Sequence, residues 1–367
     1  MNEKLPEGWK RVKLGEVAEI IMGQSPKSEF YNEKGDGLPF LQGNRTFGYR
    51  FPKIDMYCSK PIKIAKKSDV LFSVRAPVGD INIANQDICI GRGLAAIRAN
   101  NHSITLYLYY LLKFLKNEIL NFEGGTVFGS ISKKDLEGIE TLIPEDINEQ
   151  KAIASVLSSL DDKIDLLHRQ NQTLEQKAET LFRKWFIEEA KEDWEEVKLG
   201  ELIRIASGKG LKKEEYSVNG FYPVLGANGE IGRTNKFLYD EKLIFTGRVG
   251  TLGNVFISEG RVWLSDNTLI IMPQEKEFFY FIYFYLKTIK LEEMNVGSTQ
   301  PLIRQSDIKN LEIFMPNKEL IENFYIFSEN LFNNIKQNKR QICTLENLRN
   351  TLLPNLMNGK IIVKNKE

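Results

Sequence analysis

Residues 9–16 read Trp9-Lys-Arg-Val-Lys-Leu-Gly-Glu16, and residues 194–201 read Trp194-Glu-Glu-Val-Lys-Leu-Gly-Glu201. Three further blocks repeat behind this one. Leu106-Tyr-Leu-Tyr-Tyr-Leu-Leu-Lys113 returns as Tyr280-Phe-Ile-Tyr-Phe-Tyr-Leu-Lys287. Ile131, Asp135, Leu136 and Pro144 return as Ile303, Asp307, Ile308 and Pro316. Arg169-Gln-Asn-Gln-Thr-Leu-Glu175 returns as Arg340-Gln-Ile-Cys-Thr-Leu-Glu346. One order is kept over four blocks while the offset drifts only from 185 to 171, so the chain is a duplication. The drift places extra loop residues in the first copy.

Each copy reads as a globular part followed by a helix. Residues 1–145 and 191–317 are rich in Gly, Asn, Pro and short β-type runs, such as Asp69-Val-Leu-Phe-Ser-Val-Arg75 and Lys242-Leu-Ile-Phe-Thr-Gly-Arg248. One amphipathic helix is expected in each, around 104–118 and 276–290. Residues 146–190 and 318–358 are almost free of Gly and Pro and hold a helical period. The expected fold class is α+β. Two globular domains, 1–145 and 191–317, are separated by an intramolecular antiparallel coiled coil of helices 146–190 and 318–367, and the internal repeat implies a pseudo-two-fold.

The helical seams carry the antiparallel assignment. The first runs Ile153, Leu157, Leu160, Ile164, Leu167, Asn171, Leu174, Ala178, Leu181, Trp185, and the second Phe324, Ser328, Leu331, Ile335, Asn338, Ile342, Leu345, Arg349, Leu352, Leu356. Paired antiparallel without stagger, Asn171 faces Asn338; paired parallel, each amide faces an apolar side chain and costs roughly 1–3 kcal/mol. Arg349 would then lie opposite Leu160 and reach out to solvent. From Ile153 to Trp185 the helix is about 48 Å long at about 1.5 Å per residue. That compares with about 34–36 Å for one turn of DNA. The bland alternative is two amphipathic helices packed on their own domains.

Several chemistries are excluded or left without support. Two histidines, His102 and His168, are too few for HExxH zinc sites or most His-based triads. Cys58, Cys89 and Cys343 make neither a CxxC pair nor a disulfide framework. Ser207-Gly208-Lys209-Gly210 lacks the upstream glycine and following hydroxyl of a phosphate loop, and Gly91-Arg92-Gly93 is too short for a dinucleotide motif. No Asn/Asp-Pro-Pro-aromatic tetrapeptide is present. No metal, cofactor or catalytic residue is therefore expected. The opening MNEKLPEGWK has no apolar signal core, and the densest apolar run, Phe278 to Leu286, falls short of the roughly 20 residues of a membrane span. A cytoplasmic protein with no membrane partner is expected.

The net charge is only +1, so nucleic-acid binding would need local patches. Residues 40–98 hold ten Lys/Arg against four acids, and residues 197–262 hold ten against seven. The first helix, 146–192, holds seven against ten. Basic character sits in the modules and acidic character on the helix. The loops Gln42-Gly-Asn-Arg45 and Gly226-Ala-Asn-Gly-Glu-Ile-Gly-Arg233 carry the side chains that read bases: Arg forks onto guanine, Asn or Gln onto adenine. Arg75 and Arg248 are expected to close equivalent strands before glycine turns. Gly124-Gly-Thr-Val-Phe-Gly-Ser130 and Gly297-Ser-Thr-Gln300 offer hydroxyls and amides in matched places. The candidate DNA-binding residues are Gln42, Asn44, Arg45, Arg75, Arg92, Ser130, Lys133, Lys209, Asn228, Arg233, Arg248, Thr299, Gln300 and Arg304. A repeated framework with unlike loops suits a reader of two different half-sites. A two-headed protein–protein adaptor with no DNA binding is the alternative, and a nuclease with dispersed carboxylates a third.

The chain resembles the specificity (S) subunits of type I restriction–modification systems over nearly its whole length. Leu5-Pro-Glu-Gly-Trp9 with Val12-Lys-Leu-Gly-Glu16 and its echo at Trp194 to Glu201 carry the resemblance. So do Ile143-Pro144 leading into Glu149-Gln-Lys-Ala-Ile153, Leu181-Phe-Arg-Lys-Trp-Phe186, and Leu353-Pro-Asn-Leu-Met-Asn-Gly359. The resemblance implies two target-recognition domains that each read one half of a bipartite, asymmetric site in double-stranded DNA. It also implies a subunit without catalytic activity that binds methyltransferase (M) and restriction (R) subunits. Ser328 and Arg349 depart from an ideal seam.

Overall fold

The structure, a computed structural model, describes residues 5–121, 129–294 and 301–363. The chain forms two compact units, one of Met1–Arg169 with Asn338–Glu367 and one of Gln170–Gln337. Each unit contains a globular body and one half of each long helix.

In the first unit the main sheet holds β1 (Ala18–Met22), β2 (Val70–Ser73), β3 (Ile81–Ile83) and β4 (Leu94–Ala99) in the order β1-β4-β2-β3, all neighbours antiparallel. Helix α1 (Thr105–Asn121) lies against it and buries Tyr107, Tyr109, Tyr110, Leu111 and Leu115. A second, five-stranded sheet includes Leu38–Leu41 and Ile88–Ile90, paired parallel. The long helix α2 (Ile147–Arg183) begins in this unit.

The second unit repeats the plan. Strands β5 (Ile203–Ser207), β6 (Leu243–Gly247), β7 (Val255–Ser258) and β8 (Thr268–Pro273) form a sheet in the order β5-β8-β6-β7. Helix α3 (Phe279–Thr288) buries seven of its ten side chains in this core. A smaller four-stranded sheet joins Tyr222–Gly226, Gly229–Thr234, Tyr239–Asp240 and Arg261–Leu264. The second long helix, α4 (Lys318–Met357), starts here.

The repeated octapeptide now has a physical reason. Trp9–Lys13 pairs with Glu140–Pro144, and Glu195–Lys198 pairs with Glu312–Met315. Leu14 and Leu199 are fully buried, and their N–H groups donate to Ile139 O and Leu311 O at 2.9 and 2.8 Å. A Cβ on Gly15 would sit 3.0 Å from Glu137 Cβ, and one on Gly200 3.0 Å from Lys309 Cβ. A side chain at either position would crowd the neighbouring segment, so glycine suits the close passage in both copies.

Within each unit the long helices run antiparallel. In the first unit Ile153 and Leu157 share a buried cluster with Leu352 and Leu356, and further along Ile164 and Leu167 share one with Ile342 and Leu345. In the second unit Trp185 meets Phe324, with ring centroids 6.4 Å apart. These are the partners expected from unstaggered antiparallel seams. Arg349 departs from expectation. Instead of only reaching out beside Leu160 it turns one amino group inward, where its Nη1 donates to Asp161 Oδ1 at 2.7 Å and to Tyr49 Oη at 2.6 Å, while its Nε and Nη2 bond the exposed Asn350. The reason is electrostatic, since Asp161 is fully buried and needs a counter-charge. Ser328, the other departure, is fully buried and its hydroxyl has no partner among the described residues.

Candidate nucleic-acid interface

The strand pairings fix which residues of the two units correspond. Val70 lies opposite Ile97 and Ile83, whereas Ile244 lies opposite Ile271 and Ile257. The offset between these sheets is thus 174, and Arg248 corresponds to Val74, not to Arg75. The closing contacts agree: Ile131 N–H donates to Val74 O at 3.0 Å, and Ile303 N–H donates to Arg248 O at 2.9 Å. Arg75 bridges to Ser130 as Val249 bridges to Leu302. The expected equivalence of Arg75 and Arg248 is therefore corrected by one residue, which turns the two side chains to opposite faces. Arg75 is exposed. Arg248 is half-buried, its Nη1 donates to Ser207 Oγ at 3.1 Å, and its Nε is buried without a partner among the described residues.

In the first unit six candidates gather around the ends of β2 and Leu38–Leu41 and the turn before β4. Ser25 exchanges hydrogen bonds with the Gln42 amide at 2.9 and 3.0 Å and accepts the Arg92 N–H at 3.2 Å. Gly93 N–H donates to Gln42 O, and Val74 N–H donates to Gly93 O. Asn44 donates to Asp80 Oδ2 at 2.7 Å. Gln42, Asn44, Arg45, Arg75, Arg92 and Ser130 thus belong to one connected loop surface. Arg75 and Arg92 make no ion pair among the described residues, whereas Arg45 pairs with Asp55 at 2.5 Å. Lys133 lies apart from this network, paired with Glu137 at 3.5 Å in a helical turn capped by Ser132.

In the second unit Asn228 at the tip of a hairpin donates to Thr251 Oγ1 and accepts from Asn254. Ser207 is a hub: it accepts from Arg248 and from Gln305 Nε2 at 3.0 Å. Lys209 is exposed, its N–H donates to Leu264 O, and its carbonyl accepts from Trp263 Nε1 at 2.8 Å. Arg304 is exposed, and its N–H donates to Asp307. Arg233 is committed elsewhere: it donates to the carbonyls of Gly220 and Phe221 and pairs with Glu230. It braces a hairpin and is poorly placed to read a base. Thr299 and Gln300, with Gly124 to Phe128, lie outside the described residues. Asn171 and Asn338 are half-buried on α2 and α4, one in each unit.

Sequence reasoning missed Ser25, Ser207, Gln305 and Asn254, which position the candidates. It also missed the role of Gly208. A Cβ there would come 2.1 Å from Ser265 O, and one on the corresponding Gly23 2.2 Å from Gly91 O. Gly208 lets a strand end press against a turn and is no remnant of a phosphate loop. The basic excess of 40–98 is also partly internal. Arg50 pairs with Asp162, Lys66 with Asp87, and Arg98 with Asp69 and Glu19.

The first unit also holds a buried charged cluster. Asp161 accepts from Tyr49 Oη at 2.7 Å, from Tyr110 Oη at 2.8 Å and from Arg349, with Lys113 Nζ at 3.8 Å. Burial opposes its charge, yet Lys113 and the bonds from Arg349 and Tyr49 hold the carboxyl below the usual carboxylate range. Burial pushes the Lys113 ammonium down to about 8 in spite of Asp161.

Among the described residues no cluster of His, Cys, Asp and Glu could hold a metal ion, and no helix is long and apolar enough to cross a membrane. The fold and its surfaces define a class: a duplicated α+β protein whose repeated framework carries unlike polar loops. The chain belongs to the type I restriction modification DNA specificity domain family, whose pattern matches it twice, over residues 6–176 and 191–355. The putative type I restriction enzyme MjaX specificity subunit of Methanocaldococcus jannaschii is 45% identical over 175 residues, which is 47% of this chain and 41% of that protein. The MjaIX specificity subunit of the same organism is 27% identical, with 98% of this chain and 95% of that protein covered. The crystal structure of a type I restriction–modification S subunit from M. genitalium shares the fold, with a TM-score of 0.62, 21% identity and coverage of 97% and 98%.

Proposed function

We propose that this chain is the DNA-recognition subunit of a type I restriction–modification complex. Its domains, 1–145 and 191–317, each read one half of a bipartite, asymmetric site in double-stranded DNA. Helices 146–190 and 318–367 set the spacing and dock methyltransferase and restriction subunits. The chain itself is non-catalytic, and it works in the cytoplasm where those partners act.

One observation carries this reading: the same β-sheet framework closes on two unlike loop surfaces. The first offers Gln42, Arg75 and Arg92, and the second Asn228, Lys209 and Arg304. Lys and Arg on phosphate would fix the register, while amide and guanidinium groups would read base edges at about 1–3 kcal/mol per good contact. Asn171 and Asn338 would serve as register markers of the helix pair.

The test is methylation profiling of cells carrying this chain with its methyltransferase subunit. One bipartite motif with two unlike halves is expected, and exchange of residues 191–317 for those of a relative should change one half only. A palindromic motif, or a change in both halves, would overturn the reading. Absence of any salt-dependent gel shift would argue instead for the protein adaptor.

A further inference from the structure

The first unit contains a cleft of about 480 Å³ that lies outside the loop surface. Arg50 lines it and is only 6% exposed. One of its amino groups donates to Asp162, and its Nε is buried with no partner among the described residues. A guanidinium this deep, bonded by a single carboxylate that is itself mostly exposed, is under-satisfied. Lys67 and His102 line the same cleft, and among the described residues no acidic side chain does. Ser68 and Asn85 add uncharged polar groups. Ser68, with a φ of 77°, stands at the third position of a tight turn closed by the Asp69 N–H to Lys66 O at 2.9 Å. The remaining wall is apolar: Ile83 is buried, while Phe51 and Leu106 stay 39% and 36% exposed.

The second unit serves as an internal control. At the offset of 174, Lys67 becomes Glu241 and Asn85 becomes Glu259, while Ser68 becomes Lys242, His102 becomes Lys276 and Leu106 becomes Tyr280. There Lys242 pairs with Glu329 and donates to Tyr280 Oη, so that corner is internally neutralised. The fold therefore accepts acidic residues where the first unit has Lys67 and Asn85, and the acid-free lining is particular to the first unit.

We propose that this cleft binds a small organic anion: a carboxylate or phosphate on a flat apolar body, with the anion toward Arg50 and Lys67 and the body against Phe51, Ile83 and Leu106. The volume suits such a molecule.

The test titrates phenyl phosphate and benzoate into the full-length chain and follows ligand-observed NMR. Binding with a dissociation constant of about 1 mM or tighter is expected for at least one probe. Phenol, which lacks the anion, should bind at least tenfold more weakly. Lys67→Glu installs the second unit's residue at an exposed position and should weaken the bound probe about tenfold, with the Tm unchanged. Arg50→Met should abolish binding, read only if its circular dichroism is native. Failure of both probes to bind would overturn the proposal, as would equal binding of phenol or an unaltered affinity in Lys67→Glu. Displacement of the probe by a short DNA duplex would also overturn it, since the cleft would then be part of the DNA surface.

Discussion

Arg349 and Asp161, 188 residues apart in sequence, are joined by a 2.7 Å hydrogen-bonded ion pair inside the first unit. Asp161 is fully buried and Arg349 nearly so, and Tyr49, Tyr110 and Lys113 complete the shell. The pair ties the end of α4 to the start of α2 and, through Tyr49, to the globular body.

The two partners should not be equally costly to remove. Asp161→Asn leaves two half-buried cations, Arg349 and Lys113, without their counter-charge and should lower stability by about 2–4 kcal/mol. Arg349→Met leaves Asp161 with Lys113 and both phenols, so a smaller loss of about 1–3 kcal/mol is expected. Urea denaturation of each variant measures the order. Equal losses below about 1 kcal/mol would show that the cluster does not support the unit.

Lys113 should give an alkaline signature. Its folded pKa of about 8 lies below the unfolded value of about 10.4, so the unfolded chain binds more protons between them. Stability contributed at this site therefore rises as pH increases from about 8 to about 10, on the order of 1 kcal/mol. The difference in Tm between wild type and Lys113→Met should shift in favour of wild type over that window. A flat difference would place the lysine in solvent.

The helix pairing was legible because a seven-residue apolar period carries phase, and Trp185 and Phe324 meet as that phase requires. The strands carried none. β2 and β6 are buried on both faces, so Val70–Ser73 and Leu243–Gly247 show no alternation, and a one-residue slip between Arg75 and Arg248 could not be seen. Asp161 was hidden for a different reason. It sits one place beyond the seam residue Leu160, and its partners Tyr49 and Tyr110 come from distant segments with no local signal. Ser207 and Ser25 position the candidate readers only through tertiary contacts.

Arg75 and Arg233 should separate a DNA contact from a structural brace. Arg75 is exposed and unpaired among the described residues, so Arg75→Ala should weaken DNA binding with little change in stability. If it touches phosphate, the slope of log affinity against log salt should fall by about 1. Arg233→Ala removes bonds to Gly220, Phe221 and Glu230. It should cost about 1–2 kcal/mol of stability and leave the salt slope alone. Fluorescence anisotropy at several salt concentrations, beside a denaturation curve, reads both. Reversed phenotypes would exchange the two roles.

Gly23 and Gly208 occupy corresponding places at the ends of β1 and β5, and each should be intolerant of a methyl group. A Cβ on Gly23 would lie 2.2 Å from Gly91 O and 2.8 Å from Leu94 O; on Gly208 it would lie 2.1 Å from Ser265 O and 2.6 Å from Leu264 O. The obstructing atoms are backbone, which cannot yield as a flexible side chain can. Alanine at either site should cost about 1–3 kcal/mol by overpacking. The displaced segments would be those that carry Ser25, Gln42 and Arg92 in the first unit, or Lys209 in the second. Each substitution should therefore relax recognition of one half-site and spare the other. Gly43 is the control: it lies between Gln42 and Asn44, its φ of −163° suits any residue, and its Cβ would meet nothing within 4 Å. Gly43→Ala should change stability by less than about 0.5 kcal/mol. Thermal unfolding with half-site-specific methylation measures all three, and a tolerant Gly23 or Gly208 would show that close approach at the strand end does not hold the loops.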